Sequence, residues 1–266
     1  MIAFLKQIPS ETKIRKLLRK IVFGSNVFCP RCHSRKVFCS DNRYRCVKCR
    51  RPFTLLSGTW LHGMKLNLRT FWALLWCWTQ KVPVQQSQKL CHVSELAVRH
   101  WFRQFRAHLP EFNPILNGEV QMDEAYFKSL SLILAKQIGS KRLAYQIIFK
   151  NSVTKTEAVN FLFQFVSPKT QLNTDGSGIY KNIQQWWQVK HKKDIHKKWE
   201  FGLTSEIEGM FGNLRTFIRR MYHHTTPEYL PEYVSEFCLR FSSPEIFDSP
   251  ENYLTKTLNS KYDCSI

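Results

Sequence analysis

The sequence predicts an α/β domain preceded by two small modules, and three observations predict it. Four cysteines stand in two C-x-x-C pairs, Cys29 with Cys32 and Cys46 with Cys49. A helix, a turn at Cys91 to Val93 and a second helix follow. After Pro110 and Pro114 the pattern changes to strands alternating with helices, with carboxylates at strand ends. The expected divisions are residues 1–56, 57–113 and 114–245, with a C-terminal tail at 246–266.

The chain has 266 residues, enough for one sizeable core and one or two small modules. With 43% apolar and 14% aromatic residues it is globular rather than disordered. Forty Lys and Arg face twenty Asp and Glu, a net charge of +20 that points to a polyanionic partner, nucleic acid first. An anionic membrane surface is the rival, but no basic amphipathic helix stands apart from the folded pattern. The most apolar run, Phe71 to Trp78, is far shorter than the ~20 residues of a membrane span. The first twenty residues lack the apolar core and cleavage site of a secretory leader, so none is expected. Nine cysteines, an odd number with four in tight pairs, argue for metal in a reducing compartment rather than a disulfide framework.

Taken in order, Glu11 to Phe23 reads as a short basic helix with Ser10 as its N-cap. The two cysteine pairs come next, separated by thirteen residues. Two such knuckles supply four thiolates for tetrahedral Zn²⁺, which folds a segment too small for its own core. The segment reads as a zinc ribbon with Cys29, Cys32, Cys46 and Cys49 as ligands, and Cys39 as a bystander in a strand. Arg31, Arg35, Lys36, Arg43, Arg45, Lys48, Arg50 and Arg51 surround it and suit phosphate contacts.

Leu68 to Thr79 forms a Trp-rich core helix. A helix over Gln85 to Leu90, the turn, and Ser94 capping a helix to His108 resemble a helix-turn-helix. Its second helix would present Arg99, His100 and Arg103 to a major groove, while Trp101, Phe102 and Phe105 pack inward.

Gly118 to Phe127 alternates as a strand with Val120 and Met122 on one face and Asp123 on the other. Further elements are a strand Leu143 to Phe149, a helix Thr154 to Val166, a strand Gln171 to Thr174 leading into Asp175, and a helix Ile179 to Trp187. The stretch Thr204 to His224 is an amphipathic helix whose Phe211, Leu214, Phe217, Ile218 and Met221 form the docking stripe. Glu208 and Arg215 lie two turns apart on one face, and Arg219 and Arg220 extend the basic surface. Ser205 to Glu208 also fits a capping box, in which Glu208 only satisfies the helix start. A final helix is expected from Pro227 to Phe241.

Asp123, Asp175 and Glu208 occupy two strand ends and a helix start, from which carboxylates can converge. Three such groups can hold two Mg²⁺ (or Mn²⁺) ions ~3.5–4 Å apart for in-line displacement at a phosphodiester. Each residue alone also has a structural reading as a turn, surface or capping residue.

The order of zinc ribbon, helix-turn-helix, D-E-x-Y-F, T-D-G-x-x-x-Y and I-E-G-x-F-x-x-L-R resembles the DDE transposases of bacterial insertion sequences. Within these, it is most similar to the zinc-ribbon insertion-sequence fifteen-ninety-five family with its ISXO-like catalytic domain. The resemblance implies an RNase H-like catalytic domain over 114–245 that cuts transposon ends and joins the freed 3′-hydroxyls to target DNA. It assigns catalysis and Mg²⁺ to Asp123, Asp175 and Glu208, and places Arg215 where that helix commonly bears Lys. It further implies double-stranded DNA partners (terminal inverted repeats and target), a homo-oligomer on DNA, no membrane, and a cytoplasmic, nucleoid-associated protein. Two features depart from the pattern. Lys128-Ser129-Leu130 replaces a Gly-Gly-Lys run, so a shortened or rearranged hairpin is expected before Leu143, and Arg215 changes hydrogen-bonding geometry. Glu206 stays open beside Glu208 as the third carboxylate. A catalytically inactive or domesticated DNA-binding protein and a zinc-ribbon RNA-binding protein are the other functional classes.

Overall fold

The computed structural model describes residues 8–40, 43–127, 129–193, 203–223 and 225–259. The chain divides into two compact units, Met1–Pro110 with Glu245–Ile266, and Glu111–Pro244.

In the first unit, α1 (Glu11–Phe23) starts at Ser10, whose side chain accepts from Lys13 N at 3.4 Å. It buries Ile14, Leu18, Val22 and Phe23. A three-stranded antiparallel sheet follows: β1 (Val37–Ser40), β2 (Arg43–Cys46) and β3 (Pro52–Thr54). One face is apolar, with Tyr44 and Phe53 stacked 5.2 Å apart and Phe23 edge-on to both. Helices α2 (Leu68–Thr79), α3 (Val84–Cys91) and α4 (Glu95–Ala107) come next. The expected helix-turn-helix is α3 and α4, turned by His92 in the left-handed region (φ 52°) and restarted by Ser94, which accepts from Ala97 N at 3.2 Å.

The second unit is a five-stranded sheet in the order β6-β5-β4-β7-β8. Its strands are β4 (Glu119–Phe127), β5 (Leu130–Gln137), β6 (Leu143–Ile148), β7 (Gln171–Thr174) and β8 (Lys190–Lys193). Only β5 runs against the others. Helix α5 (Lys155–Phe165) opens with a full capping box between Thr154 and Glu157. It contributes Ala158, Val159, Phe161 and Leu162 to the core on one face of the sheet, with Val120, Met122, Ile133, Ala135 and Tyr180. On the other side lie α6 (Ser205–Tyr222), against β4 and β5, and α7 (Leu230–Ser242), against β6. The mixed α/β class, with its five-stranded mixed sheet, is the one expected.

Four local expectations are corrected. The strand β5 takes no part in the sequence reading, yet it pairs with β4 along its whole length, from Val120 opposite Gln137 to Phe127 opposite Leu130. The hairpin is therefore full length rather than shortened; Lys128 at its turn lies outside the described residues. The helix expected over Ile179 to Trp187 is two 3₁₀ turns, Gly178–Tyr180 and Ile183–Gln185, because Asn182 takes a left-handed conformation (φ 57°) that breaks helical continuation. Ser205 lies inside α6, whose N-cap is Thr204 with no side-chain cap, so the capping box at Glu208 does not form. The segment expected as a tail contributes a helix, α8 (Pro250–Asn259), to the first unit. Tyr253 there is fully buried and donates to the Phe105 carbonyl at 2.8 Å. Its apolar side chains at 253, 254 and 258 follow helical spacing and are buried, which is why the segment docks.

Candidate carboxylate site and basic surfaces

Strand register builds the centre of the site. Parallel pairing sets Glu119 against Gln171, Val120 against Leu172 and Gln121 against Asn173. Continued two residues beyond the last pair, that offset points from Asp123 on β4 to Asp175, just past the end of β7. Like charges opposed across a sheet are destabilising, so this pairing is not explained by folding alone. Asp175 is fixed by accepting from Ser177 N at 3.0 Å as the chain turns away from β7. Asp123 turns back along its strand to accept from Glu124 N at 2.8 Å.

That turn brings in a residue the sequence reading missed as a site member. One carboxylate oxygen each from Asp123, Glu124 and Asp175 lies within 4.8 Å of the others. Strand alternation sends the β carbons of neighbours to opposite faces, yet the Asp123 and Glu124 carboxylates meet. Glu124 is held by two phenols. Tyr126 donates to its Oε1 at 3.2 Å and Tyr180 donates to its Oε2. The tyrosines of the D-E-x-Y-F and T-D-G-x-x-x-Y segments thus share one acceptor. A sequence signal existed: two motif tyrosines beside a motif acid.

Burial, opposed by the Glu124 N–H and helped by the charges of Glu124, Asp175 and Glu208, pushes the Asp123 carboxyl up to about 7. Burial likewise raises Glu124, against the Tyr180 hydrogen bond. On the neighbouring strand, His191 Nε2 meets the Thr174 hydroxyl at 2.9 Å, and burial holds its imidazole below the usual value.

Helix α6 is set on β4 by a specific bond. Buried Gln121 accepts from the Ile207 N–H at 2.9 Å, pinning the helix start two residues before Asp123. Glu208 follows immediately, outside the tight set of three, with its Oε1 accepting from the Thr204 hydroxyl at 3.0 Å. Its charge still acts on Asp123. Glu206 is engaged elsewhere, in an ion pair with Lys136 of β5. Arg215, Arg219 and Arg220 are all exposed on α6. At about 100° per residue, Glu208, Arg215 and Arg219 fall within about 20° of one line along the helix, and Arg220 lies about a third of a turn away.

In the first unit, Cys29, Cys32, Cys46 and Cys49 gather as expected. The sulfur pairs Cys29–Cys49 and Cys32–Cys46 stand 3.6 and 3.5 Å apart, close to the ~3.8 Å that tetrahedral Zn–S bonds of ~2.3 Å require. The Cys49 N–H donates to Cys46 Sγ and holds that thiol down at about 6. On α4, Arg99, His100 and Arg103 are exposed side by side, with Arg99 in an ion pair with Glu95 at 2.7 Å. Trp101, Phe102 and Phe105 face the interior, Trp101 only half-buried.

Comparison with known families supplies the deciding observation. Residues 9–52 match the transposase zinc-ribbon domain and residues 129–242 match the ISXO2-like transposase domain, both of the IS1595 family and together more than half of the chain. The chain belongs to the IS1595 transposase family. The ISXO2-like match includes Asp175 and Glu208 and begins beyond Asp123, so Asp123 enters the site through strand register. No curated protein matches significantly. Among solved structures, a simian T-cell lymphotropic virus intasome in complex with PP2A regulatory subunit B56 gamma is similar at 14% identity. That similarity covers 63% of this chain and 67% of that one with a TM-score of 0.34, too slight to build on. No helix among the described residues is long and apolar enough to cross a membrane.

Proposed function

We propose that this IS1595 transposase binds the terminal inverted repeats of its element and performs metal-dependent strand cleavage and strand transfer. The observation that carries the proposal is the meeting of Asp123 on β4 with Asp175 just past the end of β7, their carboxylate oxygens within 4.8 Å, beside the start of α6. The oxygen-only donor set suits hard cations. An octahedral shell of ~2.1 Å bonds spaces its oxygens between about 3 and 4.2 Å, compatible with carboxylates gathered within 4.8 Å. Divalent cations held there, Mg²⁺ or Mn²⁺, would supply activation of the attacking oxygen and stabilisation of the leaving oxygen.

Asp123 and Asp175 are the two fixed ligands in this reading. Glu124 and Glu208 compete to be the third, and their hydrogen bonds separate them. Both oxygens of Glu124 already accept from phenols, whereas Glu208 accepts through Oε1 from the Thr204 hydroxyl. Glu208 therefore completes the set by a side-chain rotation, and Glu124 positions Asp123 through their shared backbone and charge. The ion pair with Lys136 removes Glu206 from the contest. Arg215 and Arg219, on the line of Glu208, hold the phosphates beside the scissile bond, and Arg220 reaches an adjoining one. Arg99, His100 and Arg103 read the terminal repeat from the major groove. The zinc ribbon is structural, and the protein works as a homo-oligomer on paired ends, in the cytoplasm at the nucleoid.

The test is cleavage of terminal-repeat DNA with Mg²⁺ by Asp123→Asn, Asp175→Asn, Glu208→Gln and Glu124→Gln, with Mn²⁺ affinity measured by calorimetry. Asp123→Asn, Asp175→Asn and Glu208→Gln should abolish cleavage and weaken Mn²⁺ binding; Glu124→Gln should reduce activity and leave the Mn²⁺ stoichiometry intact. Full cleavage by Glu208→Gln would return the third place to Glu124. Sequence-specific binding without any cleavage by the wild type would favour a domesticated DNA-binding protein.

A further inference from the structure

The outer face of the zinc-ribbon sheet has a composition that zinc binding does not require. Tyr44 and Phe53 point inward to Phe23, so their neighbours along β1, β2 and β3 point outward. Cross-strand register arranges those neighbours in two rows. Phe38 lies opposite Arg45, which lies opposite Pro52; Ser40 lies opposite Arg43, which lies opposite Thr54. All six are exposed, and Phe38 is 65% exposed. They line most of an open groove of about 610 Å³. No carboxylate is among these outward residues.

An aromatic ring left in water on a flat sheet, with guanidinium groups in its own and the next row, has a specific chemical complement. The ring face accepts a planar base, and the arginines meet the phosphates on either side. A duplex hides its base faces inside the stack, so the ring can engage only a base that is unpaired. A peptide partner would need apolar side chains to cover Phe38 and acids for both arginines, whereas one nucleotide strand supplies stacking face and charge together.

We infer that this face binds single-stranded DNA, with Phe38 stacking on an unpaired base and Arg43 and Arg45 holding the flanking phosphates. The inference rests on the nucleic-acid-binding part of the proposed function and not on its catalytic part. It gives the ribbon a task on frayed or processed strand ends that a major-groove reader such as α4 cannot perform.

The probe is a single-stranded DNA of about twelve nucleotides carrying 2-aminopurine, bound to the full-length, zinc-loaded protein and followed by anisotropy and by base fluorescence. The wild type should bind it and quench 2-aminopurine. Phe38→Ala should lose roughly 5- to 150-fold in affinity and the quenching, while Phe38→Trp should restore both. Binding to blunt duplex terminal-repeat DNA should be unchanged in both variants. Arg43→Ala and Arg45→Ala should weaken single-strand binding with a reduced salt dependence. Zinc content checks that each variant keeps the ribbon folded. Failure of the wild type to bind the single strand, wild-type affinity in Phe38→Ala, or an equal loss on duplex and single strand would each overturn the inference. Absence of metal-dependent cleavage would sink the catalytic proposal and leave this result standing.

Discussion

Tyr180→Phe isolates one contact of the carboxylate site. Tyr180 is fully buried in the core beneath the sheet, and its hydroxyl donates to Glu124 Oε2. The substitution removes one oxygen and leaves the ring packing unchanged, so almost no cavity term arises. A hydrogen bond to a charged group contributes ~1.5–3 kcal/mol. Glu124 is only half-buried and keeps its bond from Tyr126 at 3.2 Å, which places the loss near the lower end, about 1.5 kcal/mol. For a unit of this size that corresponds to a fall in melting temperature of roughly 3–6 °C. Thermal melts and urea titrations of the wild type, Tyr180→Phe, Glu124→Gln and the double variant would form a double-mutant cycle. The cycle should return a coupling of about 1 kcal/mol or more, because each single change removes the bond from a phenol to a charged carboxylate. Mn²⁺ affinity should fall in parallel, by about 10-fold or more, since partners that orient a metal's carboxylates typically carry that much. Strictly additive single effects, with Mn²⁺ binding untouched, would refute the positioning role given to Glu124.

Three further outcomes follow from the same structure. Cys46→Ser removes one of four gathered sulfurs and should abolish stoichiometric zinc and the folded ribbon, read by metal analysis and loss of near-ultraviolet signal from Tyr44; retained zinc would displace Cys46 from the ligand set. Arg215→Ala should weaken duplex binding across sequences and lower the salt slope by about 1, as for one phosphate contact, while leaving sequence preference alone. Glu236→Ala removes a buried carboxylate that accepts from Arg240 at 2.8 Å and from the Tyr222 hydroxyl at 2.6 Å. It should cost about 1–3 kcal/mol or more in denaturant titration, and a change below about 0.5 kcal/mol would show that these two bonds contribute little to stability.

What was legible in the sequence had local causes. The helix-turn-helix could be read because Ser94 caps through its own side chain and the turn is three residues long. The four cysteines could be read because C-x-x-C spacing has few other meanings. Strand β5 could not. Its residues are buried on both faces of a sheet covered by α5 on one side and α6 on the other, so Leu130 to Lys136 is buried without alternation and gives no period of two. Glu124 was missed because one of the contacts that hold it, the Tyr180 hydroxyl, lies 56 residues further along the chain. The tail was misjudged because the partners of Tyr253, Phe105 among them, lie about 150 residues earlier in the chain. No local pattern carries that information.

The arrangement also explains why so much neutral hardware surrounds the acids. Burial, helped by the charges of Glu124, Asp175 and Glu208, already pushes the Asp123 carboxyl up to about 7. Without other contacts the strand ends would relieve this by splaying. Three contacts oppose it from different elements: Gln121 binds the start of α6, Ser177 holds Asp175 through its N–H, and Tyr180 ties Glu124 to the core. None of the three brings a charge, so none satisfies the acids as a lysine or arginine would. The nearby cation Lys136 is committed to Glu206 instead. Carboxylates kept together by neutral bonds retain an unmet demand for positive charge. That demand is what a divalent ion and, beside it, the arginines of α6 can answer when a phosphodiester arrives.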